Sequence, residues 1–330
     1  MVNKILVPLD GSALAECVLP HAVSLAKTMK ATVILLQVLE SVDRTDTLEL
    51  VDPLRWQLRK GEANAYLNTI GDRLRQASIV VEVVISEGSP VDRIVEFARE
   101  QVVNLILLSS HGYSGLSGWN VSGSVQKIIH RAYTSFLIVR AFQPKPVVLP
   151  EYQYNRILIP LDGSQRAEAV LPMINSLASS PQTELILTHV IPRPEMPRRA
   201  PLTTEENDLI TDIIIRNQTE AIRYLESLQT RLPGPIKIHI LVGNNIASAL
   251  HRLAEQEAVD LVLLSAHGYS ADNRFPYGSV VISFIAYGAT PLLIMQDLPE
   301  NYRSQAVMIA AQTGESYSSR ISTYDRPSRY

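Results

Sequence analysis

Residues 3–12 read Asn3-Lys4-Ile5-Leu6-Val7-Pro8-Leu9-Asp10-Gly11-Ser12, and residues 155–164 read Asn155-Arg156-Ile157-Leu158-Ile159-Pro160-Leu161-Asp162-Gly163-Ser164. Each is a short apolar run that ends in Asp-Gly-Ser. Each is followed by a helical stretch with the same phrases, Ala15-Glu16 and Val18-Leu19-Pro20 in one, Ala167-Glu168 and Val170-Leu171-Pro172 in the other. A second match comes later: Val103-Asn104-Leu105-Ile106-Leu107-Leu108-Ser109-Ser110-His111-Gly112-Tyr113-Ser114 against Val259-Asp260-Leu261-Val262-Leu263-Leu264-Ser265-Ala266-His267-Gly268-Tyr269-Ser270. The offsets are 152 residues from Asp10 to Asp162 and 156 from His111 to His267. Two long matches, in order and at nearly one offset, mark a tandem duplication of domain size rather than a short solenoid repeat.

Within each half, short apolar runs alternate with longer amphipathic stretches. The runs predict strands at 4–9, 32–39, 80–85, 104–109 and 135–140, and again at 156–161, 184–190, 236–241, 260–265 and 291–296. Helices are predicted over 13–28, 56–76, 90–100 and 121–132, then over 166–178, 205–230, 245–256 and 278–287. Runs such as Leu105-Ile106-Leu107-Leu108 are continuously apolar, as strands covered by helices on both faces require. Ser89-Pro90-Val91-Asp92 carries the marks of a helix start: a cap, a first-turn proline and a first-turn acid. Strict βα alternation predicts an α/β fold, and right-handed crossovers make the sheets parallel. The expectation is two open, parallel, five-stranded sheets, one per half, with helices on both faces.

This divides the chain into a first domain at 1–141, a Pro-rich linker at 142–154, a second domain at 155–297 and a C-terminal tail at 298–330. The tail is polar apart from Ala306-Val307-Met308-Ile309-Ala310-Ala311. Composition excludes several classes. With 46% apolar residues, the 330-residue chain has ample material for cores. A net charge of −3 and the lack of a basic run argue against nucleic acid as a partner. One cysteine allows neither an internal disulfide nor a cysteine-cluster metal site. Cys17 lies in the apolar register of the first helix with Leu14 and Val18, and reads as a small core residue. No run reaches the roughly 18 to 20 apolar residues of a membrane span, and MVNKILVPLDGS lacks the core of a signal peptide. The expected setting is the cytoplasm, with no membrane partner.

In an open parallel sheet, ligands bind at the C-terminal strand ends where strand order reverses. Asp10 and Asp162 fall there, followed by a glycine for a tight turn and a serine able to cap a helix. Such a carboxylate can take a ribose hydroxyl or a metal ion, or simply form the turn. The loop after the fourth strand runs to Gly123-Ser124 in one half and to Gly278-Ser279 in the other, each entering a helix. Glycine-rich turns, hydroxyls and a helix N-terminus make an anion cradle without lysine. Both the Walker motif and the dinucleotide G-x-G-x-x-G fingerprint are absent, so the loop alone says only that phosphate fits. His111 and His267 read as imidazoles that fix the loop. Glu16 and Glu168 read as bracing residues or as helpers of a metal near the aspartates. Trp119 and Tyr113 either cover a ligand or fold the long loop.

The combination resembles the universal stress protein family in its tandem two-domain form, over about 1–141 and 155–297. The family pattern joins a strand ending near Pro-x-Asp-Gly-Ser to a late Gly-x2-Gly-x9-Gly-(Ser/Thr) loop. The resemblance implies a Rossmann-like, adenine nucleotide alpha hydrolase-like fold with strand order 3-2-1-4-5. It implies an adenine nucleotide, ATP or AMP, as ligand, with Mg²⁺ accompanying it near Asp10 or Asp162. Asp10 and Asp162 fall beside ribose and adenine; Val38 and Val190 fall where backbone groups meet adenine. Gly112, Gly123 and Ser124, with Gly268, Gly278 and Ser279, fall on phosphate positions, and Ser122 and Arg274 are further phosphate contacts.

Both halves depart from the pattern. Ser109 and Ser265 replace its first glycine, where a side chain narrows the approach. The spacer from Gly112 to Gly123 is one residue too long, which calls for a bulge near Gly118 or Ser122. Dimers of the family often pair through the fifth strand, so the resemblance also implies an intramolecular pseudo-dimer, with a homodimer left open. The implied role is a nucleotide-binding stress-response or regulatory protein without a dedicated catalytic base. A nucleotide-free dimerisation scaffold and a slow Mg²⁺-dependent ATPase stay open as alternatives.

Overall fold

The computed structural model describes residues 2–40, 53–112, 121–141, 152–178, 180–194, 201–270 and 276–298. The first half runs β1 (Lys4–Pro8), α1 (Leu19–Met29), β2 (Thr32–Leu39), α2 (Pro53–Gln76), β3 (Val81–Glu87), α3 (Pro90–Glu100), β4 (Leu105–Ser109), α4 (Gly123–Ala132) and β5 (Ser135–Val139). The second repeats it as β6 (Arg156–Pro160), α5 (Leu171–Leu177), β7 (Glu184–Ile191), α6 (Thr204–Gln229), β8 (Ile236–Val242), α7 (Ile246–Gln256), β9 (Leu261–Ser265), α8 (Ser279–Tyr287) and β10 (Leu292–Met295).

The apolar runs form strands because both of their faces are covered. Ile5, Val7, Val33 and Leu35 face one hydrophobic cluster with α1, α2, α5 and α6. Leu6, Ile34, Leu36 and Ile106 face the other, with α3, α4, α7 and α8. Each cluster draws residues from both halves, so the core is shared. The first helix of each half departs from expectation: a 3-10 turn at Ala15–Val18 or Ala167–Val170 precedes α1 or α5. Pro20 and Pro172 sit in the first turn of those helices and have no N–H to continue the turn before them.

Strand order within each half is 3-2-1-4-5, all parallel, but the two expected sheets are one. The order is β3-β2-β1-β4-β5-β10-β9-β6-β7-β8. β5 and β10 pair antiparallel, with Phe136 opposite Ile294, Leu137 opposite Leu293 and Ile138 opposite Leu292. The physical reason is edge satisfaction. Each fifth strand is apolar but for Ser135 and would otherwise leave a row of backbone donors and acceptors unpaired. This pairing is the expected intramolecular pseudo-dimer, made through the fifth strand of each half.

Side chains close the seam on both faces. The Arg140 guanidinium donates to the carbonyls of Phe284 (2.8 Å) and Ile285 (2.6 Å), in the last turn of α8. Tyr277 Oη donates to the Ile129 carbonyl of α4 at 3.1 Å. On the opposite face, His21 of α1 pairs through Nδ1 with the Tyr154 hydroxyl at 2.8 Å, under the Tyr152 ring.

Burial pulls the His21 pKa down to about 4, so the seam holds a neutral imidazole. Unfolded histidine titrates near 6.5, so on acidification the unfolded chain gains the proton first. The His21 contribution is complete above about pH 6.5 and is lost as pH falls towards about 4, a change on the order of 3 kcal/mol. Urea denaturation across that range checks this. His21→Gln is expected to flatten the pH dependence, and an unchanged slope would refute the assignment.

Candidate functional site

The site in each half grows from the Asp-Gly-Ser turn. Asp10 Oδ1 accepts from the Ser12 amide at 2.9 Å, and Ser12 Oγ accepts from the Ala15 amide at 3.1 Å. Asp162 and Ser164 repeat this at 3.0 and 3.1 Å. Gly11 and Gly163 both adopt φ +82°, a value that side chains disfavour, so glycine is required in the turn.

The other carboxylate oxygen faces the loop after the fourth strand. A Cβ on Gly112 would fall on Asp10 Oδ2, and one on Gly268 would fall on Asp162 Oδ2. Glycine therefore stands at both positions because the carboxylate lies against the backbone. In the second half, Asp162 Oδ2 also accepts from the Tyr269 amide at 2.6 Å. The two halves of the sequence motif thus meet: the first-strand carboxylate ties its own turn to the fourth-strand loop. Asp10 and Asp162 remain exposed on their outer side.

The loops then return to the sheet by equivalent bonds. The Ser122 amide donates to Ser110 O at 2.9 Å, and the Gly278 amide donates to Ala266 O at 2.8 Å. Ser110 and Ala266 are counterparts, so Ser122 is the counterpart of Gly278 and Gly123 that of Ser279. The connections from Gly112 to Ser122 and from Gly268 to Gly278 therefore have equal length, so no extra residue has to be accommodated; Gly118 lies outside the described residues. The helix register agrees: buried Val125 and Ile128 of α4 match Val281 and Phe284 of α8 at the same offset. Matching the Gly-Ser pairs by identity puts the halves one residue out of step.

This shift makes the two helix starts chemically different. Ser122 caps α4, its hydroxyl accepting from the Val125 amide at 3.4 Å. Gly278 caps α8 with no side-chain bond. Ser124 lies in the first turn of α4, and a Cβ on Gly123 would meet nothing within 4 Å. Arg274, Tyr113 and Trp119 lie outside the described residues. Val38 and Val190 are the last residues but one of β2 and β7, half-buried against the α3 and α7 side. Beside them, Gln37 Oε1 and His189 Nδ1 are buried polar atoms without a hydrogen-bond partner among the described residues.

Ser109 does not narrow the approach from outside. Its side chain is buried, with Oγ 2.6 Å from His111 O and 3.0 Å from Leu14 O. Cys17 approaches the same hydroxyl at 3.5 Å, and burial pushes its thiol up to about 11, which keeps it protonated. Glu16 and Glu168 accept from Tyr66 and Tyr224 of the long helices at 3.3 and 3.1 Å, so both brace the turn. Among the described residues, no group of three or more metal-ligating side chains converges.

The histidines are buried and differ between halves. His111 Nδ1 pairs with Ser110 Oγ at 3.0 Å. His267 Nδ1 instead donates to Asp297 Oδ1 at 2.6 Å, and Arg166 Nε donates to Asp297 Oδ2 at 2.6 Å. The first-half counterparts of Arg166 and Asp297 are Leu14 and Ala141, so this charged cluster belongs to one pocket alone. Sequence reasoning missed it because Asp297 stands 30 residues beyond His267; the substitution of Ala141 by Asp at matched positions was the available signal.

Burial alone would raise the Asp297 carboxyl, but the hydrogen bonds from His267 and Arg166 outweigh it and hold the group below the ordinary range. Its stabilising contribution is present above the usual carboxylate pKa and is lost as pH falls through the lower folded value. With 4% of its side chain exposed, Asp297→Asn is expected to cost on the order of 3 kcal/mol. The Tyr269 amide should then exchange faster while the Ser12 amide does not. Hydrogen exchange with denaturant titration reads both, and equal protection in variant and parent would refute the role.

The model for the universal stress protein family matches residues 1–140 and 153–296. Universal stress protein YxiE of Bacillus subtilis is 30% identical over 149 residues, 42% of this chain and 100% of that protein. Universal stress protein Slr1230 of Synechocystis is 23% identical over 317 residues, 88% of this chain and 99% of its own. A universal stress protein structure from Archaeoglobus fulgidus aligns with TM-score 0.61 at 17% identity, covering 90% of this chain and 100% of that one. The chain belongs to the universal stress protein family, as a tandem two-domain member.

Proposed function

We propose that the chain binds adenine nucleotide, ATP or AMP, at two unequal pockets and acts as a nucleotide-responsive regulator in stress. The observation that carries this is the repeated contact of a first-strand carboxylate with a glycine backbone, beside a helix N-terminus. Outward lone pairs of Asp10 and Asp162 suit ribose hydroxyls. The backbone ends of β2 and β7 at Val38 and Val190 suit an adenine edge. Phosphates belong at the starts of α4 and α8, where amides lack intrahelical acceptors and the helix dipole favours negative charge.

The second pocket is the stronger in this reading. Gly278 leaves the first amides of α8 open to phosphate, whereas the Ser122 hydroxyl takes one at α4. That cap favours a scaffold-like role for the first half. Mg²⁺ would arrive with a triphosphate, supplying charge neutralisation. Fast hydrolysis would need a positioned base. His111 and His267 are 4% and 2% exposed and turned to Ser110 and Asp297, which favours binding over turnover.

Small molecules released from gently purified protein, identified by mass, and calorimetry with ATP and AMP test the reading. No released nucleotide and no heat of binding would end it. Gly278→Asp separates binding from folding. Gly278 is extended at φ −74° and ψ 165°, which aspartate adopts easily. Aspartate caps helices well, so stability should hold or rise by a few tenths of a kcal/mol. Its charge should weaken binding at the second pocket at least ~10-fold. Unchanged affinity and stoichiometry would refute the phosphate position.

A further inference from the structure

We infer that the N-terminal turns of α2 and α6 are the two sides of a contact between copies of this chain. Both helices begin with turns in which no side chain is fully buried. The first buried side chain of α2 is Ala63, and that of α6 is Ala221. Before those positions no side chain is fully buried, over about 15 and 25 Å of helix, while Trp56, Ile210 and Ile214 are half-buried. The outer faces of these turns carry exposed apolar side chains. Leu54 and Leu58 are 76% and 63% exposed, and Leu209 and Ile213 are 62% and 38% exposed.

The charges beside the two apolar pairs are opposite. In α2, Arg55 and Arg59 follow the leucines, with Lys60 next in the chain. In α6, Asp208 and Asp212 precede Leu209 and Ile213, with Glu205 one turn earlier. Each helix thus presents two apolar residues four apart on one face, with two like charges four apart beside them. A charge that follows the apolar residue in one helix and precedes it in the other lies on the same side when the helices run in the same direction. Packed so, Arg55 and Arg59 of one copy flank Asp208 and Asp212 of the next. Arg59 also stacks over Trp56, 5.6 Å from the ring centre, which stiffens the basic side. Lys60 is held by Glu87 at 3.1 Å, leaving the two arginines as the matching pair.

A neighbouring pair of α2 ends would set arginine against arginine, and two α6 ends aspartate against aspartate. The charge pattern therefore selects α2 against α6. The fifth-strand edges are already paired within the chain, so this contact is the one by which a second copy docks. It does not depend on bound nucleotide.

Sedimentation of the full chain from about 1 to 100 µM tests it, a range suited to a small interface. Wild type should reach a mass at least twice the 36.6 kDa of one chain. Raising the salt to about 1 M should weaken association several-fold. Leu58→Glu and Ile213→Asp lie on exposed helix, so circular dichroism should be unchanged, and each variant alone should be monomeric. An equimolar mixture should associate again, since one variant keeps a sound α6 and the other a sound α2. A wild type that stays monomeric at 100 µM overturns the contact, including when the surface captures an unrelated protein. Variants that associate like wild type, or a mixture that stays monomeric, overturn it equally.

Discussion

The antiparallel ladder between β5 and β10 sets the rest of the molecule. Phe136, Leu137 and Ile138 lie fully buried opposite Ile294, Leu293 and Leu292. Two parallel sheets joined this way must point in opposite directions. The C-terminal ends of β1 and β4 then open on one rim of the sheet, and those of β6 and β9 on the other. The two pockets are therefore separated by construction, although one continuous core lies beneath both. An open parallel edge of such apolar strands would invite pairing with other chains. Here the duplication supplies the partner internally.

Within each pocket the decisive element is a shared carboxylate. Asp10 and Asp162 each satisfy their own turn with one oxygen and press the other against a glycine from the fourth-strand loop. That makes the aspartate both a structural clasp and a ligand candidate, two roles that sequence alone had left as alternatives. The second pocket adds a charged layer below, Arg166, Asp297 and His267, which joins three loops. The first has Leu14, Ala141 and the Ser110–His111 hydrogen bond. Keeping the turn while changing what lies behind it gives one fold two sites with different charge beneath them.

Much of this was legible in the sequence, because strand position and loop position are local properties. The runs at 32–39 and 90–100 match β2 and α3 residue for residue. The paired Asp-Gly-Ser turns fixed where the strands end. What escaped depends on relations between distant segments. The single sheet requires knowing that β5 meets β10, which no local pattern encodes. Asp297 joins His267 only once β10 is laid beside β9. The Gly-Ser loops misled for another reason: matching letters outweighed the apolar register of the following helix. Val125 and Ile128 against Val281 and Phe284 carry the true alignment, since buried positions tolerate a one-residue slip far less than a loop does.

The ladder also joins each pocket to the opposite half. The last turn of a helix exposes carbonyls that need donors, and each half supplies them to the other. Arg140, just after β5, holds the end of α8. Tyr277, just before α8, holds the end of α4. The starts of those same helices are the positions proposed for phosphate. A cation at the C-terminus complements the helix dipole, whereas a phenol hydroxyl contributes only a hydrogen bond. Burial lowers the Arg140 pKa to about 10, which still leaves it charged at neutral pH. The helix with the uncapped start, α8, is thus the one anchored by a buried charge at its end. Removing the seam would therefore disturb both pockets, and the second more than the first.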